Sequence, residues 1–187
     1  MGKISVFLAE GFEEIEALTV VDILRRANQE VETVSVGADK RVVGSHQIPV
    51  EADCLYEEVD FSQVSMLVLP GGMPGTLNLK KKSELMERLK DFAKKEDKWL
   101  CAICAAPSIL GELGILEGKE AISYPGYEVA LKGAKILPQK VVRDGNIITA
   151  KGMGSSIAFS LELVKVLVDE KEAVRIQQSI GFGHEKH

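Results

Sequence analysis

Histidine is scarce in this chain, and its scarcity limits the chemistry available. Only His46, His184 and His187 occur among 187 residues, so no imidazole lies between residues 46 and 184. A cysteine peptidase or amidotransferase of the Cys-His type needs an imidazole near its thiol, so these classes are disfavoured. A zinc site is not predicted either, because there is no second cysteine pair and the last two histidines fall in a segment, 183–187, that we expect to fray.

Cysteine is equally sparse, with only three residues, so not all of them can pair within the chain. Cys54, Cys101 and Cys104 follow no export signal, since the N-terminus leads directly into an apolar run, so we expect free thiols and no disulfide framework. No apolar run approaches the length of a membrane span, and a net charge of -5 argues against a general nucleic-acid binder. We therefore expect a cytoplasmic location with neither a membrane nor a nucleic-acid partner.

Nucleotide-binding motifs are also missing. The first strand-to-helix turn contains only Gly11, and no G-x-x-x-x-G-K-[ST] sequence occurs. The glycines of the KGMGS segment, 151–155, are better explained by a close-packed turn. The sequence therefore predicts no cofactor.

What the chain does contain is a regular alternation of short apolar runs and segments with helical periodicity. The strand-like runs are 4–9, 31–36, 66–69 and 100–103, and the helical segments are 14–27, 85–93, 108–113, 155–168 and 171–179. This pattern is typical of βαβ units and predicts an α/β fold with a mostly parallel sheet. Two accessory β-hairpins are predicted at 40–51 and 140–151. No linker or repeat divides the chain, so we expect one domain over residues 1–187.

Cys104 lies where the predicted strand 100–103 ends and turns directly into a helix. A thiol at a helix N-terminus is close to unpaired backbone N–H groups, which predicts a lowered pKa and a partly ionised Cys104. The alternative is a small apolar residue that fills a gap in the core. Cys101 completes a C-x-x-C pattern, but inside a strand its Cα would lie roughly 10 Å from that of Cys104, too far for a disulfide.

Three loops leave the carboxyl ends of predicted strands, where open parallel sheets form ligand sites. Gly71 and Gly72 let backbone N–H groups approach a ligand, so with the N–H at the Cys104 turn they predict an oxyanion hole, although a plain turn fits the same residues. Glu16 opens the first helix, where burial and like charge predict a raised pKa and a protonated side chain that donates to sulfur. Its neighbours Glu10, Glu13 and Glu14 offer the alternative, an acidic helix start, which fits any single glutamate of this run. Local pattern alone does not separate Glu16 from them.

Five segments in combination resemble the DJ-1 branch of the ThiJ/PfpI superfamily from end to end. They are AEGFEEIE at 9–16, VVDILRR at 20–26, LVLPGG at 67–72, AICAAP at 102–107 and TAKGMGSS at 149–156. The resemblance implies a flavodoxin-like three-layer sandwich, with helices on both sides of the sheet, and a homodimer. It implies that Cys104 is the nucleophile and redox-sensitive thiol, that Glu16 is its carboxylic partner, and that Gly71, Gly72 and Ala105 supply backbone to an anion pocket.

One residue departs from the pattern of that branch. Where relatives often have a histidine before proline, this chain has Tyr124, which can orient a substrate but is a poor proton shuttle at neutral pH. The function that the resemblance implies is cofactor-free conversion of small reactive aldehydes or glycated substrates during stress. The alternatives are a non-enzymatic redox sensor or chaperone, which Tyr124 favours, and a silent interaction protein on the same fold.

Overall fold

The structure is a computed structural model and describes residues 2–183. Within that range the chain forms eleven strands and six α-helices. The strands are β1 (Lys3–Leu8), β2 (Val31–Ser35), β3 (Arg41–Val43), β4 (Pro49–Glu51), β5 (Cys54–Leu55), β6 (Val64–Leu69), β7 (Trp99–Ile103), β8 (Glu120–Ala121), β9 (Lys135–Ile136), β10 (Val141–Asp144) and β11 (Ile147–Ala150). The helices are α1 (Glu14–Arg26), α2 (Gly75–Lys80), α3 (Ser83–Ala93), α4 (Pro107–Glu112), α5 (Ser156–Leu167) and α6 (Glu170–Ser179).

Seven strands form one sheet in the order β10-β11-β7-β6-β1-β2-β5. Every neighbouring pair is parallel except β10 and β11. Val6 in β1 pairs with Thr33 in β2 on one side and with Val68 in β6 on the other. The strand order therefore reverses at β1 and β6, and the loops that follow these two strands lie at the same edge of the sheet.

Helices cover both faces of the sheet. One apolar core contains Val20 from α1 and Phe159 from α5, and the other contains Leu89 from α3 and Leu110 from α4. The central strands are continuous apolar runs because both of their faces are buried. The predicted three-layer α/β sandwich of flavodoxin-like type is confirmed.

The two predicted hairpins both form, but only one is accessory. β3 and β4 make a separate two-stranded antiparallel sheet. β11 instead pairs in parallel with β7, so β10 and β11 complete the edge of the main sheet. All four residues of β11 are buried, which explains why it belongs to the core.

The ends of the helices differ slightly from the prediction. α6 begins at Glu170 because the Asp169 side chain accepts a hydrogen bond from the Glu172 N–H at 2.7 Å. Ser155 is the N-cap residue of α5 but makes no side-chain cap hydrogen bond. The C-terminal residues from position 184 onward, where fraying was expected, lie outside the described residues. None of the helices within residues 2–183 is both long and apolar enough to span a membrane.

Candidate active site

Cys104 directly follows β7 and has a φ of +65°, in the left-handed region that non-glycine residues rarely adopt. Its N–H donates to the Ala150 carbonyl at 2.9 Å, and its carbonyl accepts from the Tyr124 N–H at 2.7 Å. Such a conformation raises the energy of the chain by about 1–3 kcal/mol and persists only where neighbouring structure imposes it. Here β11 and the Tyr124 segment hold the thiol at the turn.

The predicted position of Cys104 at a helix N-terminus is wrong. α4 begins at Pro107 with Ala106 as its cap, so Cys104 lies two residues before the cap of a six-residue helix. Burial raises the pKa of the Cys104 thiol to about 12, and the nearby Glu16 carboxylate raises it further, whereas the N–H groups of Ala105 and Gly72 oppose the shift. The predicted lowering of this pKa is therefore also wrong, because burial outweighs the backbone dipoles.

Glu16 is 1% exposed and faces the Cys104 thiol. Its Oε2 accepts a hydrogen bond from the Gly71 N–H at 2.8 Å. Burial raises the pKa of Glu16 to about 7, against the opposing effect of the hydrogen bonds from Cys104 and Gly71. The direction is the one expected from the sequence. Near neutral pH this carboxyl group is therefore present in both its protonated and its ionised form.

Gly71 lies very close to both the thiol and the carboxyl group. A Cβ at position 71 would lie 2.7 Å from the Cys104 Cβ and 2.8 Å from Glu16 Oε2, so only glycine fits. Its N–H donates to Glu16 and is not free to serve an oxyanion hole, contrary to the prediction. The N–H groups that act on the sulfur belong to Gly72 and Ala105.

Tyr124 belongs to the same site through its backbone. Its N–H holds the Cys104 carbonyl, and its ring, which is half exposed, lies against Gly152. A Cβ at Gly152 would approach this ring to 3.1 Å. The KGMGS turn that contains Gly152 therefore packs around Tyr124, in agreement with its interpretation as a close-packed turn.

The other cysteines have different surroundings. Cys101 is a fully buried core residue inside β7, as predicted, and burial raises its pKa well above the usual value. Cys54 is half-buried in β5, and burial raises its pKa to about 11. All three are free thiols. Only Cys104 has a carboxyl group against its sulfur together with two backbone N–H groups.

The residues from 2 to 166 match the family model described as the DJ-1/PfpI family. The chain belongs to the DJ-1/PfpI family. The solved structure of oxidized DJ-1 from Toxoplasma gondii superposes on it with a TM-score of 0.93 at 32% identity, over 98% of this chain and 100% of that chain. This family match accounts for the observed strand order and for the helices on both faces.

Curated DJ-1 relatives match almost the whole chain. Protein DJ-1 homolog B of Arabidopsis thaliana is 32% identical, but the match covers 95% of this chain and only 40% of that protein. A relative from Schizosaccharomyces pombe, named glutathione-independent glyoxalase DJ-1, is 30% identical over 97% of this chain and 100% of its own length. A deglycase of Pyrococcus abyssi is 31% identical, and the match covers 88% of this chain and 99% of that protein. The chain thus spans about two fifths of the plant relative that it matches.

Proposed function

We propose that this DJ-1/PfpI family member converts small reactive aldehydes without a cofactor, with Cys104 as nucleophile and Glu16 as its general base. The observation that carries the proposal is the buried Glu16 carboxyl group, whose pKa is about 7, against the thiol. A general base is most effective when its pKa lies near the working pH. The names of the Schizosaccharomyces pombe and Pyrococcus abyssi relatives, a glyoxalase and a deglycase, support reactive carbonyl compounds as substrates.

The proposed reaction is an internal redox change that consumes one water. Ionised Glu16 accepts the thiol proton while sulfur adds to the aldehyde carbon, and the carbonyl oxygen takes up that proton to give a hemithioacetal. Glu16 next removes the hydrogen of the former aldehyde carbon as a proton and returns it to the adjacent keto carbon. The hydroxyl proton of the hemithioacetal passes to the keto oxygen, which yields a 2-hydroxy thioester. Water hydrolyses the thioester, releases the 2-hydroxy acid and restores the thiol.

Three further residues have supporting roles in this proposal. The N–H groups of Gly72 and Ala105 stabilise negative charge on sulfur and on the oxygen of the adduct. Tyr124 orients the substrate by a hydrogen bond from its phenol. Because a phenol transfers protons poorly at neutral pH, we expect slow turnover.

Methylglyoxal turnover by purified protein tests the enzymatic proposal. Product 2-hydroxy acid is measured without added glutathione for the wild type, Cys104→Ser, Glu16→Gln and the matched thiol control Cys54→Ser. We expect Cys104→Ser to abolish turnover, Glu16→Gln to slow it by about 10²-fold or more, and Cys54→Ser to leave it unchanged. Equal rates for the wild type and the Cys104 and Glu16 variants would refute the proposal. A glycated amino acid as second substrate distinguishes deglycase from glyoxalase activity.

A redox sensor is the second candidate, supported by the same groups. Peroxide would oxidise the Cys104 thiol to sulfinic acid in two steps, each reducing one peroxide to water, and the N–H groups of Gly72 and Ala105 with protonated Glu16 would hold its oxygens. Peptide mass spectrometry after mild peroxide treatment should find oxygen on Cys104 before Cys54 or Cys101. Earlier oxidation of Cys54 would argue against a sensor role.

We also propose that the protein is a homodimer that forms through the outer face of α1. Ile15 and Leu18 on this helix and Ile48 in the adjacent β3–β4 turn are between 38% and 51% exposed. Such an exposed apolar patch is typical of a protein interface. Light scattering should show a dimer that Leu18→Glu converts to a monomer, whereas Val129→Glu, at a remote site that is 86% exposed, should not. A monomeric wild type would refute this proposal.

We propose a cytoplasmic location because the cysteines are free thiols. All three are free, which suits a reducing compartment. Cell fractionation with an antibody against the protein tests this location, and recovery from an oxidising compartment would contradict it.

A further inference from the structure

A second cluster of ionisable side chains lies beside the N-terminus of α1, apart from Cys104. Glu13 and Glu14 are 8% and 3% exposed, and the exposed His46 comes from the turn between β3 and β4. His46 Nδ1 lies 3.2 Å from Glu13 Oε2 and 3.0 Å from Glu14 Oε2. One ligand atom from each of these two carboxylates and this imidazole lies within 4.8 Å of the other two.

The backbone holds both carboxylates in this arrangement through their other oxygens. Glu13 Oε1 accepts from the Ile15 N–H at 3.3 Å, and Glu14 Oε1 accepts from the His46 N–H at 2.8 Å. A Cβ at Gly44 would overlap the Glu14 carboxyl group, so the hairpin turn packs directly on it. Both Oε2 atoms are consequently fixed toward His46 before any ligand binds.

The cluster has more acceptors than hydrogens to satisfy them. Ser45 Oγ lies 3.3 Å from Oε2 of both Glu13 and Glu14 and 3.1 Å from His46 Nδ1, which brings the close polar contacts to five. The serine hydroxyl and His46 Nδ1 can supply at most one hydrogen each. At most two hydrogens are therefore available for the five contacts, so carboxylate lone pairs remain available to a cation.

The two carboxylates of this cluster also have few positively charged neighbours. Among residues 2–183, no lysine or arginine nitrogen lies within 4.0 Å of the Glu13 or Glu14 carboxylates, and His46 is their ion-pair partner. The N-terminus of α1 offsets only part of two buried negative charges. A divalent cation would neutralise both carboxylates.

We propose that Glu13 Oε2, Glu14 Oε2 and His46 Nδ1 bind a divalent transition-metal ion of the Zn²⁺ class. Ligand atoms about 2.1 Å from one zinc ion are about 3.0–3.4 Å apart, and the two measured N···O distances fall at this spacing. An imidazole with carboxylates favours Zn²⁺ over Mg²⁺ or Ca²⁺, which prefer oxygen ligands alone. The ion would join the β3–β4 turn to α1.

The sequence does not indicate this site. His46 is 32 residues from Glu14, and the glutamates taken alone fit an ordinary acidic helix start. Only the packing of the hairpin turn against α1 brings the three ligands together. The proposed ligands include neither Cys104 nor Glu16.

Zn²⁺ titration of the full chain by isothermal calorimetry tests the proposal. The wild type should bind zinc at this site, and His46→Ala and Glu14→Gln should each weaken binding by more than about tenfold. Glu14→Gln keeps a side-chain oxygen for the His46 N–H, and circular dichroism verifies that both variants fold. The matched control His184→Ala/His187→Ala removes the other two imidazoles, and Cys104→Ser removes the candidate thiol ligand. Both controls should bind as the wild type does.

Cobalt substitution gives a second readout. Co²⁺ bound at this site should show a visible spectrum without a thiolate charge-transfer band, and His46→Ala should abolish that spectrum. The proposal is overturned if wild-type protein binds no zinc, if His46→Ala binds it as tightly as the wild type, or if the Cys104 or tail-histidine variant loses binding instead.

Discussion

Cys104 and Glu16 share a site in which burial raises the pKa of both groups. A thiol with a pKa of about 12 is almost entirely protonated at neutral pH, so the proposed attack by Cys104 requires a base that removes the proton. In the proposed mechanism that base is Glu16, whose pKa is about 7. The same carboxylate, once ionised, repels a neighbouring thiolate. Glu16 therefore has opposite effects on Cys104 at neutral and at alkaline pH.

Alkylation of Cys104 by iodoacetamide should show this reversal in Glu16→Gln. Near neutral pH the variant should react more slowly, by about tenfold or more, because an amide cannot accept the thiol proton. In strongly alkaline solution it should react faster, because without the carboxylate the pKa of Cys104 falls below about 12. The rates are measured by mass spectrometry in metal-free buffer. A variant that follows the wild type at every pH would show that Glu16 does not control the thiol.

Gly71→Ala should separate the two groups. The new Cβ would lie 2.7 Å from the Cys104 Cβ and 2.8 Å from Glu16 Oε2, so the thiol and the carboxyl group must move apart. We expect aldehyde turnover to fall by about 10²-fold, as for a displacement of about 1 Å at a reacting centre. Gly154→Ala is the matched control, because its Cβ would meet no atom within 4 Å. Full activity in Gly71→Ala would contradict the proposed contact.

At this scale the sequence indicated which residues meet and the direction of the Glu16 pKa shift, but not the pKa of Cys104. The Glu16 and Cys104 motifs could be placed together because both follow parallel strands. The pKa of Cys104 could not be predicted from the sequence. It depends on how deeply the sulfur is buried and on the position of Cys104 two residues before the cap of α4. The use of the Gly71 N–H by Glu16 depends on loop geometry that composition does not encode.

Among the secondary-structure elements, β11 has the largest influence on the site. It pairs with β7 and holds the Cys104 N–H through Ala150, while the Thr149 hydroxyl accepts from the buried Ile122 N–H at 3.0 Å. Ile122 leads into Tyr124, which holds the Cys104 carbonyl. One strand therefore supports both sides of the turn.

Thr149→Val should lower the free energy of unfolding by about 1–3 kcal/mol, because it leaves the buried Ile122 N–H without an acceptor at nearly unchanged volume. Urea unfolding measures this loss, and amide exchange at Ile122 should become faster. Thr19→Val, at a half-buried position on α1, should change stability by less than about 0.5 kcal/mol. Equal effects of the two substitutions would contradict a specific role for the Thr149 hydroxyl.

Most of the longer elements and the β3–β4 hairpin were predictable from the sequence, and the shortest strands were not. α1 was located within one residue by its helical apolar periodicity, and β7 was located within one residue because it is a continuous apolar run. β5, β8 and β9 have two residues each, too few for a periodic signal. The hairpin of β10 and β11 was predicted as accessory, because a local pattern does not reveal that β11 pairs with β7.

At the scale of the molecule, the seven-stranded sheet separates two apolar cores that have no side chain in common among residues 2–183. Phe159 fills the core under α1 and α5, and Phe92 fills the opposite core under α3. Strands between these layers contribute alternate side chains to each core, so loss of either core should unfold the sheet. One domain over residues 1–187, which we predict because no linker or repeat divides the chain, stays a prediction that the unfolding of these two cores can test.

Phe159→Ala and Phe92→Ala should each lower the free energy of unfolding by about 3–5 kcal/mol. In both variants, the fluorescence of Trp99, the single tryptophan, should change together with the far-ultraviolet circular dichroism in one transition. Separate transitions for the two probes would show that the layers unfold independently and would contradict a single domain.

The left-handed conformation of Cys104 also bears on how the protein evolves. Glycine would relax this backbone by about 1 kcal/mol and would still allow both hydrogen bonds that hold the turn. Selection for stability alone therefore favours losing the sulfur. In a duplicated copy that is no longer selected for its function, we expect an early Cys104→Gly substitution. A lineage that retains the cysteine is one in which the chemistry of the thiol is still under selection.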